Sequence, residues 1–124
     1  MRIVILSTDP ELSLLRQHAL RNAGHETLVP VSDNAMNMAL DDAGEHYDVA
    51  LLCHRIPDGR ARDLIRRYLR KNPLGKVVAV VHLYGEWPQI EADRYVVGTD
   101  GPETLLRVMS EIANERATAT ANAS

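Results

Sequence analysis

Five short apolar runs punctuate the chain, at residues 3–6, 27–31, 49–52, 77–83 and 95–97. They are rich in β-branched residues and too short for buried helices, so they predict strands. Because they lack polar alternation, the strands are expected to be covered on both faces. The stretches between them have helical character. Asp9 can cap a first helix, with Pro10 at its first position, Gly24 at its far end, and Leu12, Leu15, Ala19 and Ala23 at helical spacing. Further helices are predicted over about 34–43, 60–70 and 102–115. Strands alternating with helices predict an α/β fold with a parallel sheet between two helical layers.

The segment after the fourth run breaks this rhythm. Residues 83–93 include Pro88 and leave too little chain for two loops and a full helix, so a helix there is expected to be shortened or absent. Such trimming would leave Trp87, Ile90 and Tyr95 as an apolar patch, the kind of surface that marks a contact site.

Length and composition narrow the class. A chain of 124 residues, 45% apolar and 25% charged, suits one domain, with no room for a separate output domain. The expected domain is 1–116, followed by a small, polar, frayed tail at 117–124. No apolar run approaches the roughly 18 residues of a membrane span, and the short run after Met1 does not resemble a signal peptide. Cys53, the single cysteine, excludes an intrachain disulfide and fits a reducing cytoplasm.

Charge is unevenly placed. Residues 55–76 carry eight basic side chains against Asp58 and Asp63, or +6, while the rest of the chain carries six against fifteen, or −9. With Leu64, Ile65 and Leu69 facing inward, the third helix presents arginines outward. Arg55, Arg62, Arg66, Arg67 and Arg70 are therefore candidates for docking an acidic protein. Nucleic acid is disfavoured: the net charge is −3, Tyr68 is the one aromatic in the patch, and no reader motif flanks it.

The motif that carries most meaning is Asp48-Val-Ala-Leu-Leu-Cys53-His54-Arg55-Ile56-Pro57-Asp58-Gly59. It resembles the phosphoacceptor segment of response-regulator receiver domains, with cysteine where the family has the phosphorylated aspartate. Residues 3–11, 78–85 and 92–106 are similar to the family's first strand and acidic turn, its fourth strand, and its fifth strand and last helix. The resemblance covers residues 1 to about 113. It implies a flavodoxin-like, three-layer, doubly wound sheet of five parallel strands.

The same resemblance implies that the family's site has been replaced. Ser7 and Thr8 stand at the metal-holding carboxylates, Cys53 at the phosphoacceptor, His82 at the switch Thr or Ser, and Gly98 at the lysine that pairs with the phosphoryl group. Thr99 replaces the proline that usually follows that lysine. A thiol cannot form the acyl phosphate, and neutral hydroxyls suit Mg²⁺ poorly. No metal, cofactor or catalysis is expected; the chain is expected to be a phosphorylation-independent protein-interaction module in bacterial signalling, with homodimerisation through the trimmed face as one form of partnership. The alternative is a thiol sensor in which Cys53 and His82 form a reactive pair. Zinc held by Cys53, His82 and either His54 or Asp9 is a third reading, weakened by the lack of any metal-binding spacing.

Overall fold

The strands β1 (Arg2–Leu6), β2 (Glu26–Leu28), β3 (Val49–Leu52), β4 (Lys76–Val81) and β5 (Arg94–Val97) form one parallel sheet in the order β2-β1-β3-β4-β5. The structure is a computed structural model describing residues 1–53, 55–81 and 90–123, apart from the side chains of Thr99 and residues 119–123. Four helices flank the sheet: α1 (Pro10–Asn22), α2 (Asp33–Ala43), α3 (Asp58–Lys71) and α4 (Pro102–Ala123). Among the described residues, no helix is long and apolar enough to cross a membrane.

The chain steps outward from β1 to β2, then returns across β1 to β3 before continuing to β4 and β5. This reversal opens a crevice beyond the carboxyl ends of β1 and β3, the usual ligand edge of such sheets. The register pairs Leu6 with Leu52, so Ser7 and Cys53 leave the sheet side by side.

The two faces have separate cores. Ile3, Ile5, Leu51 and Val80 pack under Leu20 of α1 and Met109 and Ile112 of α4. Val4, Leu6 and Leu52 pack under Leu40 of α2 and Leu64 and Tyr68 of α3. The second face is tied down by polar contacts as well. Tyr68 Oη and Asn72 Nδ2 both donate to the Tyr47 carbonyl at 2.7 Å. A side chain at Gly75 could not coexist with this arrangement, since its Cβ would lie 2.3 Å from Tyr68 Oη. At the opposite edge, Arg94 joins β5 to Glu111 and Glu115 of α4. Arg116 reaches Asp48 at 2.8 Å.

Three expectations need correction. The second strand ends at Leu28 instead of Val31, because Pro30 has no N–H for a ladder and Val31 is 91% exposed. On α1 the buried residues are Ser13 and Leu20, whereas Leu15 is 68% exposed. Ser13 can face inward because its hydroxyl donates to the Asp9 carbonyl at 2.7 Å, and this rotates the leucine stripe away from the sheet. The last helix continues to Ala123 beyond its expected end at Glu115. Alanines at 117, 119, 121 and 123 favour helix, and no Gly or Pro follows Pro102 to stop it. The connection from β4 to β5 spans residues 82–93, and its described part, 90–93, contains no helix.

Candidate functional site

Asp9 opens α1 as the sequence predicts: its carboxylate accepts from the Leu12 N–H at 3.2 Å. The other carboxylate oxygen lies 3.5 Å from Arg55 Nη1, which ties the loop after β3 to the start of α1. Ser7 Oγ accepts from the Asp9 N–H at 3.0 Å, so this hydroxyl shapes the turn. Thr8 beside it is exposed. Asp9 is thus committed to a cap and an ion pair. Among the described residues, no three His, Cys, Asp or Glu side chains are grouped to hold a metal.

Cys53 follows β3 and is 6% exposed. Its N–H donates to the Leu6 carbonyl at 3.0 Å, extending the β1–β3 ladder by one bond. Its Sγ accepts from Arg16 Nη1 at 3.0 Å. Burial pushes the thiol pKa above its ordinary 9.0, and the nearby Asp9 charge adds to that rise. The Arg16 charge and hydrogen bonds from Ser7 and Arg16 pull the other way without reversing it. The thiol is therefore neutral at pH 7.

Gly98 begins a 3-10 turn after β5, and a Cβ built on it would stand 3.7 Å from Arg16 Nη2. The Arg16 guanidinium thus lies between the positions that the receiver resemblance gives to the phosphoacceptor and to its lysine. The cation comes from α1, not from the end of β5. Sequence reading did not single out Arg16, which belongs to no motif of the site. The available signal was its spacing, three residues after the inward Ser13 and four before the inward Leu20.

Ser7, Cys53 and Gly98 follow directly after β1, β3 and β5 at one edge of the sheet, and Thr8 follows Ser7. His54 and His82 lie outside the described residues, and with them the Cys53–His82 pair and the zinc set. Trp87 also lies outside them. Tyr95 is partly exposed, and its hydroxyl donates to the Ile90 carbonyl at 2.7 Å while accepting from the Ala92 N–H at 3.1 Å.

The arginines of α3 divide into two sets. Arg60 lies 2.8 Å from Asp63, and Arg67 is held by Asp41 at 2.5 Å and Asp63 at 3.0 Å. These contacts knit α3 to α2 and remove Arg67 from the outward surface. Arg62, Arg66 and Arg70 repeat at four-residue steps and are exposed, forming one basic stripe.

No protein-family model matches the chain, and no curated protein matches it. Solved structures do. A CheY-like response regulator receiver domain from Methanospirillum hungatei JF-1 superposes with a TM-score of 0.79 at 20% identity, over 95% of this chain and 97% of that one. The response regulator TrrA complexed with histidine kinase ThkA gives a structure matching at TM-score 0.71 and 17% identity, over 90% and 97%. A third match is described as a novel family of redox sensors in the streptococci evolved from two-component response regulators. It superposes at TM-score 0.77 and 22% identity, over 99% of this chain and 55% of that one. The fold is that of CheY-like receiver domains.

Proposed function

We propose that the chain is a receiver-fold interaction module of bacterial signal transduction, whose partner reads a surface that forms without aspartyl phosphorylation. The observation that carries this reading is the partly buried contact between Cys53 and Arg16 at the acceptor position. A thiol there yields no acyl phosphate, and Ser7 and Thr8 offer only neutral oxygens to a hard cation. The fold of TrrA, found in complex with a histidine kinase, favours a protein as partner. The exposed stripe Arg62, Arg66 and Arg70 favours an acidic one. On this reading the module is cytoplasmic, has no cofactor and catalyses no reaction.

The test combines phosphorylation with binding. Exposure to acetyl phosphate and Mg²⁺ should leave the intact mass unchanged, and the partner should bind equally with and without the phosphodonor. Arg66→Glu with Arg70→Glu should weaken binding at low salt and leave thermal stability intact. A phosphoryl adduct that controls binding would overturn the reading.

A thiol sensor is the second reading, favoured by the Arg16 guanidinium at the sulfur and by the redox-sensor description of one structure of the same fold. Burial and the raised thiol pKa weigh against it. The rate of Cys53 alkylation against pH, compared in native chain, His82→Ala and denatured chain, separates the two. Fast native reaction below about pH 7 that depends on His82 would favour the sensor. Reaction only after unfolding would favour the module.

A further inference from the structure

Between α1 and α4, over the ends of β4 and β5, lies a groove of about 440 Å³. That volume falls within the roughly 300–1,000 Å³ common for small-molecule sites. Leu12, Leu15 and Ala19 of α1 form one wall, Val80 and Val96 the floor, and Leu105 the other wall. Among the described residues, Arg16 is the one lining residue with a fixed charge, none of the lining residues is a carboxylate, and His18 and Asn22 supply the remaining polar side chains.

Arg16 differs from the other partly buried arginines. Arg60, Arg67, Arg94 and Arg116 each meet a carboxylate. Arg16 meets none among the described residues, and its hydrogen-bond acceptor there is the neutral Cys53 thiol. The chain has 17 acidic residues, so acids are not scarce. A cation set against apolar surface without a counterion is unfavourable, and a bound anion would relieve it. One N–H of Nη1 is used by the sulfur. A Cβ built on Gly98 would stand 3.7 Å from Nη2, so this second nitrogen of the planar fork lies beside the turn after β5, within the lining of the groove.

We propose that this groove binds a small amphiphilic monocarboxylate, with its carboxylate on the Arg16 guanidinium and its apolar body along Leu12, Leu15, Ala19 and Leu105. The single guanidinium fits a carboxylate in charge and in planar geometry, whereas a phosphate dianion would keep surplus charge in apolar surroundings. The body is recognised by area and not by shape, because the walls are aliphatic and one side is open.

The experiment is a titration of the isotopically labelled full chain, followed by backbone amide shifts, with acetate, hexanoate, octanoate, octanol and octylamine as probes. Octanoate should shift amides of α1, the β5–α4 turn and the start of α4. It should bind about fifteenfold tighter than hexanoate, at about fourfold for each added methylene. Octanol and octylamine should bind at least about tenfold more weakly than octanoate, the loss expected when a charge-assisted pair is absent. Arg16→Gln should weaken octanoate and leave octanol unchanged. Octanol or octylamine matching octanoate, acetate matching octanoate, or shifts centred elsewhere would each overturn the proposal. These comparisons use the unaltered chain, so the outcome stands whether or not Arg16→Gln folds.

Discussion

Arg67 on α3 is partly exposed and is held by two carboxylates, Asp41 and Asp63, whereas Arg16 on α1 lies against the core with a neutral thiol as its acceptor. The contrast extends to the faces on which they sit. The α2–α3 side is closed by ion pairs between the helices and by Tyr68 locked onto the Tyr47 carbonyl. The α1–α4 side leaves Leu14 63% and Leu15 68% exposed beside an open groove. Folding stability explains the first face. The second keeps features that stability does not need, and local departures of this kind are expected where a surface serves binding.

The largest test of this contrast is mutational. Leu64→Ala, at a fully buried position under the closed face, should cost about 2–5 kcal/mol in urea unfolding. Leu15→Ala, in the open wall, should change stability by less than about 0.5 kcal/mol. A Leu15→Ala loss comparable to that of Leu64→Ala would mean that the open face is covered in solution, by a second copy or by another segment. The comparison between faces would then fail.

A smaller effect concerns alkaline pH. Burial raises the pKa of Tyr68 above 10.0, and burial also raises that of Cys53 above 9.0. As pH rises past those ordinary values, the unfolded chain releases both protons before the folded one does. The folded state then binds more protons, so its stability falls with increasing pH. Stability should therefore hold up to about pH 9 and decline above it. Cys53→Ser should remove the part that begins near pH 9. Tyr68→Phe should remove the part that begins near pH 10, while costing about 0.5–1.5 kcal/mol at neutral pH for the lost hydrogen bond. A pH slope unchanged in Tyr68→Phe would show that the phenol is not the group responsible.

Much of this architecture was legible from sequence, for reasons visible in particular residues. Runs such as Val49–Leu52 are apolar without alternation, which announces strands covered on both faces. Asp9 and Pro10 fixed the start of α1, and Gly24, with its positive φ of 93°, fits the break after that helix. The rotation of α1 was not legible, because four apolar residues at helical spacing outvoted Ser13, whose hydroxyl is satisfied only by the Asp9 carbonyl. Cys53 and Gly98 could be placed at one edge by motif order. Arg16 could not, since its role depends on the angle at which α1 packs, and a basic residue among polar ones reads as solvated. The pairing of Arg67 with Asp41 was hidden for a related reason: it joins residues from two helices that only the tertiary fold brings together.

Arg16→Met gives a small expected change in stability and the most direct probe of the contrast. Methionine keeps much of the apolar stem and removes a charge that has no counterion among the described residues. Stability should stay level or rise by up to about 1 kcal/mol, because the desolvation of the guanidinium is relieved and one weak bond to sulfur is lost. Arg67→Met should instead lower stability slightly, and molar salt should weaken that difference, since the Arg67–Asp41 pair is only partly buried. The Cys53 thiol supplies an independent readout. Arg16 pulls its pKa down through both charge and hydrogen bond, so Arg16→Met should raise that pKa and slow alkylation at any fixed alkaline pH. A loss above about 2 kcal/mol in Arg16→Met would make the guanidinium a packing element of α1, for a change of that size implies a buried network broken. A gain in stability together with a slower thiol would identify Arg16 as a residue retained at the expense of stability, as expected of a side chain that awaits an anion.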